Sequence, residues 1–63
     1  MEIVLNGEKC EVAPGTRIAA LVEGDGKGWA IARNGEVVRR GEWDTTELAA
    51  GDEIEIVKAV QGG

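Results

Sequence analysis

The sequence holds no histidine, tyrosine or phenylalanine, and only one cysteine, one proline and one methionine among its 63 residues. Each gap removes a class of chemistry. Without histidine there is no Ser-His or Cys-His pair and no imidazole to serve as a general base. One cysteine cannot build an ordinary structural zinc site. Cys10 also has no partner for a disulfide within the chain, the usual support of a very small domain. Seven basic residues against twelve acidic ones leave a formal net charge of −5. That sign argues against a phosphate backbone or an anionic lipid surface and for a partner with basic groups. The same charge also serves simply to keep a small domain soluble. The longest apolar run, Ile18-Ala19-Ala20-Leu21-Val22, is far shorter than the ~20 residues of a membrane span. Met1-Glu2-Ile3 shows neither a basic region nor a cleavage site. With an unpaired cysteine, this predicts a cytoplasmic protein without a secretory signal.

Glycine, by contrast, is plentiful, with ten residues, two of which are Gly62 and Gly63. The others punctuate the chain. Asn6-Gly7 separates two strand-like runs, Met1–Leu5 and Glu8–Val12, and is a strong hairpin signal because both turn positions need positive φ. Asn34-Gly35 does the same between Trp29–Arg33 and a fourth strand beginning at Glu36-Val37-Val38. Thr16 reads as the N-cap of a short helix from Arg17 to about Val22, with Ile18, Leu21 and Val22 on one face. Gly24 to Gly28 is a connecting loop. It lacks the Gly-Lys-Ser/Thr ending of a phosphate loop, and no helix follows it. Glu42 to Leu48, which includes Trp43, is irregular or a single helical turn. Glu53-Ile54-Glu55-Ile56 alternates strictly, isoleucines inward and glutamates outward, and Val57 to Val60 extends that strand.

The predicted order is strand, strand, helix, strand, strand, turn, strand. This is an α+β fold, a mixed sheet of four to five strands packed on one short helix. Residues 1–60 form a single domain, and 61–63 form a flexible tail. The predicted core is Ile3, Leu5, Val12, Ile18, Leu21, Ile31, Val38, Leu48, Ile54 and Ile56. One of Trp29 and Trp43 completes it, and the other covers it from the irregular segment. The first and last strands are the most β-branched and are expected side by side in the middle of the sheet.

Gly62 and Gly63 have no folding role in this scheme. Two given positions are both glycine on the order of 2.5% of the time at this glycine content, so the pair alone is a weak signal. A loose chain end is the plain alternative. The functional reading rests on shape. Two residues without side chains make a thread narrow enough for an enclosed active site, with an ionised carboxylate at its tip. A carboxylate resists nucleophiles until another protein activates it, most simply as an acyl-adenylate made from ATP. Sulfur could then give a thiocarboxylate, or an amine or thiol could give an amide or thioester.

At this point the chain resembles a known family. The segments that carry the likeness are Met1-Glu2-Ile3-Val4-Leu5-Asn6-Gly7, Ala30 to Val38, Arg40 with Trp43, Leu48 to Ile56, and Ala59-Val60-Gln61-Gly62-Gly63. The most specific part is Gly51-Asp52 before the last strand together with the terminal Val-Gln-Gly-Gly. These segments are similar to the ubiquitin-like sulfur carriers of the β-grasp fold, above all its thiamin-biosynthesis (thiazole) branch. Cys10 to Gly28 match only in outline, and Arg39 stands where the family often has proline. The resemblance implies that an E1-like adenylyltransferase adenylates the Gly63 carboxylate. Sulfur from a cysteine desulfurase or other persulfide donor then makes the thiocarboxylate, and thiazole synthase takes up that sulfur. It further implies a recycled co-substrate that is no enzyme, with no bound cofactor or metal, ATP being used by the activating enzyme. Val60, Gln61 and Gly62 would be the tail that enters the partners' active sites. The open alternatives are a carrier for molybdopterin, cysteine or a siderophore, a protein modifier ligated to lysines, and an interaction module whose Gly-Gly is a loose end.

Three further features carry expectations. Glu53 and Glu55, near the tail, are candidates to dock a basic partner surface. Val57 or Val60 belongs either to an exposed patch on the sheet or to the core. Cys10 reads as a small half-buried hydrophobe rather than a reactive thiol.

Overall fold

A computed structural model of the chain describes residues 1–24 and 26–58. Five strands form one mixed sheet in the order β2-β1-β5-β3-β4. They are β1 (Glu2–Leu5), β2 (Glu8–Glu11), β3 (Trp29–Arg33), β4 (Glu36–Val38) and β5 (Glu53–Lys58). The two hairpins turn where their local chemistry requires. Asn6 and Asn34 have φ of 49° and 50°, followed by Gly7 and Gly35 at 83° and 84°. This is the pair of positive angles that asparagine and glycine adopt at least cost.

The first and last strands are neighbours, as expected, and run parallel through Val4–Glu53 and Leu5–Ile54. β5 lies at the centre and is antiparallel to β3. Its isoleucines fall on the inner face, and Ile54 and Ile56 are buried, while Glu53 and Glu55 are exposed.

The segment between the hairpins departs from the expected helix. Only a 3-10 turn forms, over Ile18–Leu21, and Arg17 occupies its cap position without a side-chain capping bond, its Nη1 donating instead to the Asp44 carbonyl at 3.1 Å. Thr16 does not cap it, because its Oγ1 donates to the Ala13 carbonyl at 2.6 Å. The cause is tertiary. The Thr16 carbonyl, which would accept the first bond of an α-helix, is taken by the segment 43–48, and Ala20 N donates to Arg17 O instead. Ile18 N donates to Thr46 O and Ala19 N to Trp43 O, both at 3.0 Å, and Leu48 N donates to Thr16 O at 2.8 Å. A six-residue helix has little intrinsic stability to set against such bonds. Arg40–Glu42 form a second 3-10 turn.

The core is Ile3, Ile18, Ile31, Trp43, Leu48, Ile54 and Ile56. Leu5, Val12, Leu21 and Val38, expected inside, are only partly buried and pack around this cluster. The tryptophans exchange their expected roles: Trp43, in the irregular segment, completes the core instead of covering it, because the segment 43–48 is bonded down onto the chain at 16–19, and Trp29 is half-buried at the margin. Among the described residues no helix is long and apolar enough to cross a membrane.

Candidate functional site

The tail residues Val60, Gln61, Gly62 and Gly63 lie outside the described residues. What is described is the strand that leads to them and the means by which it is held. β5 is fastened on both flanks by the hairpin asparagines. On the β1 side, Asn6 N donates to the Ile54 carbonyl and Ile56 N donates to Asn6 Oδ1, each at 2.8 Å. On the β3 side, Asn34 N donates to the Glu53 carbonyl at 2.8 Å and Glu53 N donates to Asn34 Oδ1 at 2.9 Å. Both asparagines therefore act twice. Their backbone makes the turn, and their side-chain oxygen accepts a β5 amide that a turning chain has no carbonyl to meet.

In the sequence, Gly51-Asp52 marks the turn before the last strand and carries part of the family likeness, without a role for the carboxylate. In the fold, Asp52 is the one buried charged residue among those described. Its Oδ2 accepts from Arg33 Nε at 2.9 Å and from the Ala49 amide at 2.8 Å, and its Oδ1 accepts from Asn34 Nδ2 at 3.1 Å. Burial by itself raises the Asp52 pKa. The Ala49 and Asn34 hydrogen bonds and the Arg33 charge outweigh it, so the carboxyl titrates below its ordinary 3.8. A carboxyl with a depressed folded pKa adds stability that is fully present above its unfolded value. That stability is lost as pH falls through the lower folded one. Asp52→Asn is therefore expected to cost about 1–2 kcal/mol at pH 7. It should also flatten the decline in the urea midpoint of wild type between roughly pH 5 and pH 2. An unchanged acid limb would show that Asp52 is not the group responsible.

The outer face of the sheet is the other candidate surface. Register places Val57 opposite Ala30, and Ala32 between Glu55 and Val37. Val37 is 78% exposed and Val57 60%. Val57 thus belongs to an exposed apolar patch across β4, β3 and β5, and not to the core. Glu53 and Glu55 stand beside it on the same face of β5. The inner end of β5 is closed differently, with Lys58 Nζ 5.8 Å from the centre of the Trp29 ring. Cys10 is partly buried against the core opposite Ile3, as a small hydrophobe. No group of three or more Cys, Asp or Glu side chains among the described residues is arranged to hold a metal ion.

A five-stranded mixed sheet, with parallel first and last strands between two hairpins, defines a ubiquitin-like β-grasp domain. The sequence pattern of the ThiS family matches residues 3–63. The chain belongs to the ThiS family. Its fold is similar to that of a thiamine biosynthesis protein (ThiS) from Geobacter metallireducens, known from a crystal structure and an NMR solution structure. The crystal structure is 28% identical, covers 100% of both chains and superposes with a TM-score of 0.80. The NMR structure is 28% identical, covers 100% of this chain and 88% of the other, and gives a TM-score of 0.76. No curated protein sequence matches.

Proposed function

We propose that the protein is a sulfur carrier for thiamin biosynthesis, with the Gly63 carboxylate as the group that carries sulfur. The observation that carries this reading is the family match reaching residue 63. β5 supports it. The strand is held on both flanks, and in sequence Gly62 and Gly63 follow it after Ala59-Val60-Gln61. In the proposed cycle an E1-like adenylyltransferase joins the carboxylate to AMP and releases pyrophosphate. The terminal sulfur of a persulfide, supplied by a cysteine desulfurase or another donor, displaces AMP. A second thiol cleaves the resulting acyl disulfide and leaves the thiocarboxylate. Thiazole synthase accepts the sulfur, and the carboxylate returns. The domain itself catalyses nothing and binds no cofactor, because ATP belongs to the activating enzyme. Gln61, Gly62 and Val60 are the part threaded into each partner.

Expression with the activating enzyme, followed by alkylation and intact-mass spectrometry, tests the chemistry. Two labels are expected, one on Cys10 and one on the thiocarboxylate. One label under loading conditions would overturn the reading, and higher-mass lysine adducts would favour a protein modifier.

Docking has its own test. The apolar patch of Val57 and Val37 with Glu53 and Glu55 beside it suits a partner surface that is apolar with a basic rim. Glu53→Lys with Glu55→Lys is expected to slow adenylation about tenfold or more at low ionic strength, with the deficit shrinking in salt. Because both side chains are exposed, the urea midpoint should change little. Equal rates for both proteins at low salt would remove these carboxylates from the interface.

A further inference from the structure

The two flanks of β5 are paired to different lengths. On the β3 side, partners run from Ile54 to Lys58. On the β1 side, they stop at Ile54. The Asn6-Gly7 turn is responsible, since it carries the chain away after Leu5. The Asn6 side chain extends the pairing by one bond, accepting from Ile56 N at 2.8 Å. Backbone groups along a strand face its two sides alternately. The Ile56 carbonyl and the Lys58 N–H therefore face the same side as the Ile56 N–H, past the end of the turn. Among the described residues no strand lies beside them. A groove of about 420 Å³, lined by Val4, Asn6, Gly7, Glu53, Ile54 and Glu55, lies beside the paired half of β5 and leads up to these open groups.

We infer that this short edge of β5 is completed by an extended backbone segment of the activating enzyme, added as a strand beside Ile56 and Lys58. The groups on offer select that occupant. A carbonyl and an N–H at strand spacing, about 3.3 Å per residue, match the alternating donor and acceptor of an extended peptide backbone. Charge selects its sequence, because Glu53 and Glu55 line the groove and favour lysine or arginine on the added segment. Position selects its source. β5 is the strand that leads to Val60-Gln61-Gly62-Gly63, so an enzyme that takes hold of those residues has this edge next to its own chain. Lys58, a charged residue on the open edge, blunts self-association in the free protein. The inference rests on the reading of Gly63 as the activated group.

The chain is short enough for semi-synthesis, and a Lys58 N-methyl amide removes the donor while keeping the side chain. With the adenylating enzyme of the same genome, ATP–pyrophosphate exchange is expected to show KM raised about tenfold or more and kcat little changed. Amide hydrogen exchange gives a readout on the native chain. Lys58 N–H should slow about a hundredfold in the complex, while Val57 N–H, which faces β3, changes little. Native efficiency in the N-methylated chain, or an unprotected Lys58 amide in the complex, would overturn the added strand. A native chain that supports no exchange would overturn the carrier reading, and this inference with it. A native chain that is activated no better than the N-methylated one would overturn the edge alone.

Discussion

A chain that stops at Gln61 is expected to unfold at the same urea concentration as the full-length protein and yet to accept neither AMP nor sulfur. The buried core runs from Ile3 to Ile56, so removing Gly62 and Gly63 takes away no core side chain. What it removes, on the proposed function, is the reacting carboxylate and the narrow thread that delivers it. The expected activity is therefore the background measured without carrier, rather than a partial loss. ATP–pyrophosphate exchange and the count of alkylated groups both read it, and one label, on Cys10, is the expected outcome. A truncated chain loaded as well as the intact one would mean that the chemistry lies elsewhere.

The largest expected loss of stability falls on Trp43. Its side chain is 4% exposed, and its Nε1 donates to the Val38 carbonyl at 2.9 Å. The backbone around it accepts from Ala19. Gly26, at φ 71°, packs so closely on the indole ring that a Cβ there would collide with it. The ring thus joins the end of β4 to the glycine loop, and the backbone of the same residue ties in the first 3-10 turn. Trp43→Ala is expected to cost about 3–5 kcal/mol. Typical stability, about 0.05–0.15 kcal/mol per residue, gives a chain of this length roughly 3–9 kcal/mol in total. The substitution therefore removes between about a third and all of that stability, and the urea midpoint should fall by at least about a third. Trp43→Phe keeps most of the burial and loses the bond to Val38, for a cost of about 1–2 kcal/mol. Urea titrations followed by far-UV circular dichroism order the three proteins. An alanine variant within about 1 kcal/mol of wild type would show that neighbouring side chains close the gap.

Strands and hairpins were legible because their causes are local. Asn-Gly meets the angles of its turn wherever it occurs. Alternating isoleucine and glutamate define one buried face without reference to the rest of the chain. The helix over 17–22 was misread because its competitor lies elsewhere in sequence. Thr16, Ile18 and Ala19 bond to the segment 43–48, and no window around Thr16 contains that segment. Asp52 was underread for the same reason. Gly-Asp marks a turn locally, but Arg33 and Asn34 are 19 and 18 positions away.

Candidate site residues divide along the same line. Gly62 and Gly63 stood out by having no folding role, which needs only the sequence. Glu53 and Glu55 were placed outward by alternation, and they are exposed. Nothing local revealed that Asn6 and Asn34 hold the flanks of β5, because each bond spans a long stretch of chain. By itself, the sequence determined the strand segments, the two turns and the outward charge of the last strand, since each follows from residue chemistry over a few positions. Only the tertiary structure decided that the helix is a single turn, that Val57 is on the surface, that Asp52 is buried and that the edge of β5 is left open past Asn6. These depend on which distant segments meet, and backbone donors go to the partner the whole fold brings closest.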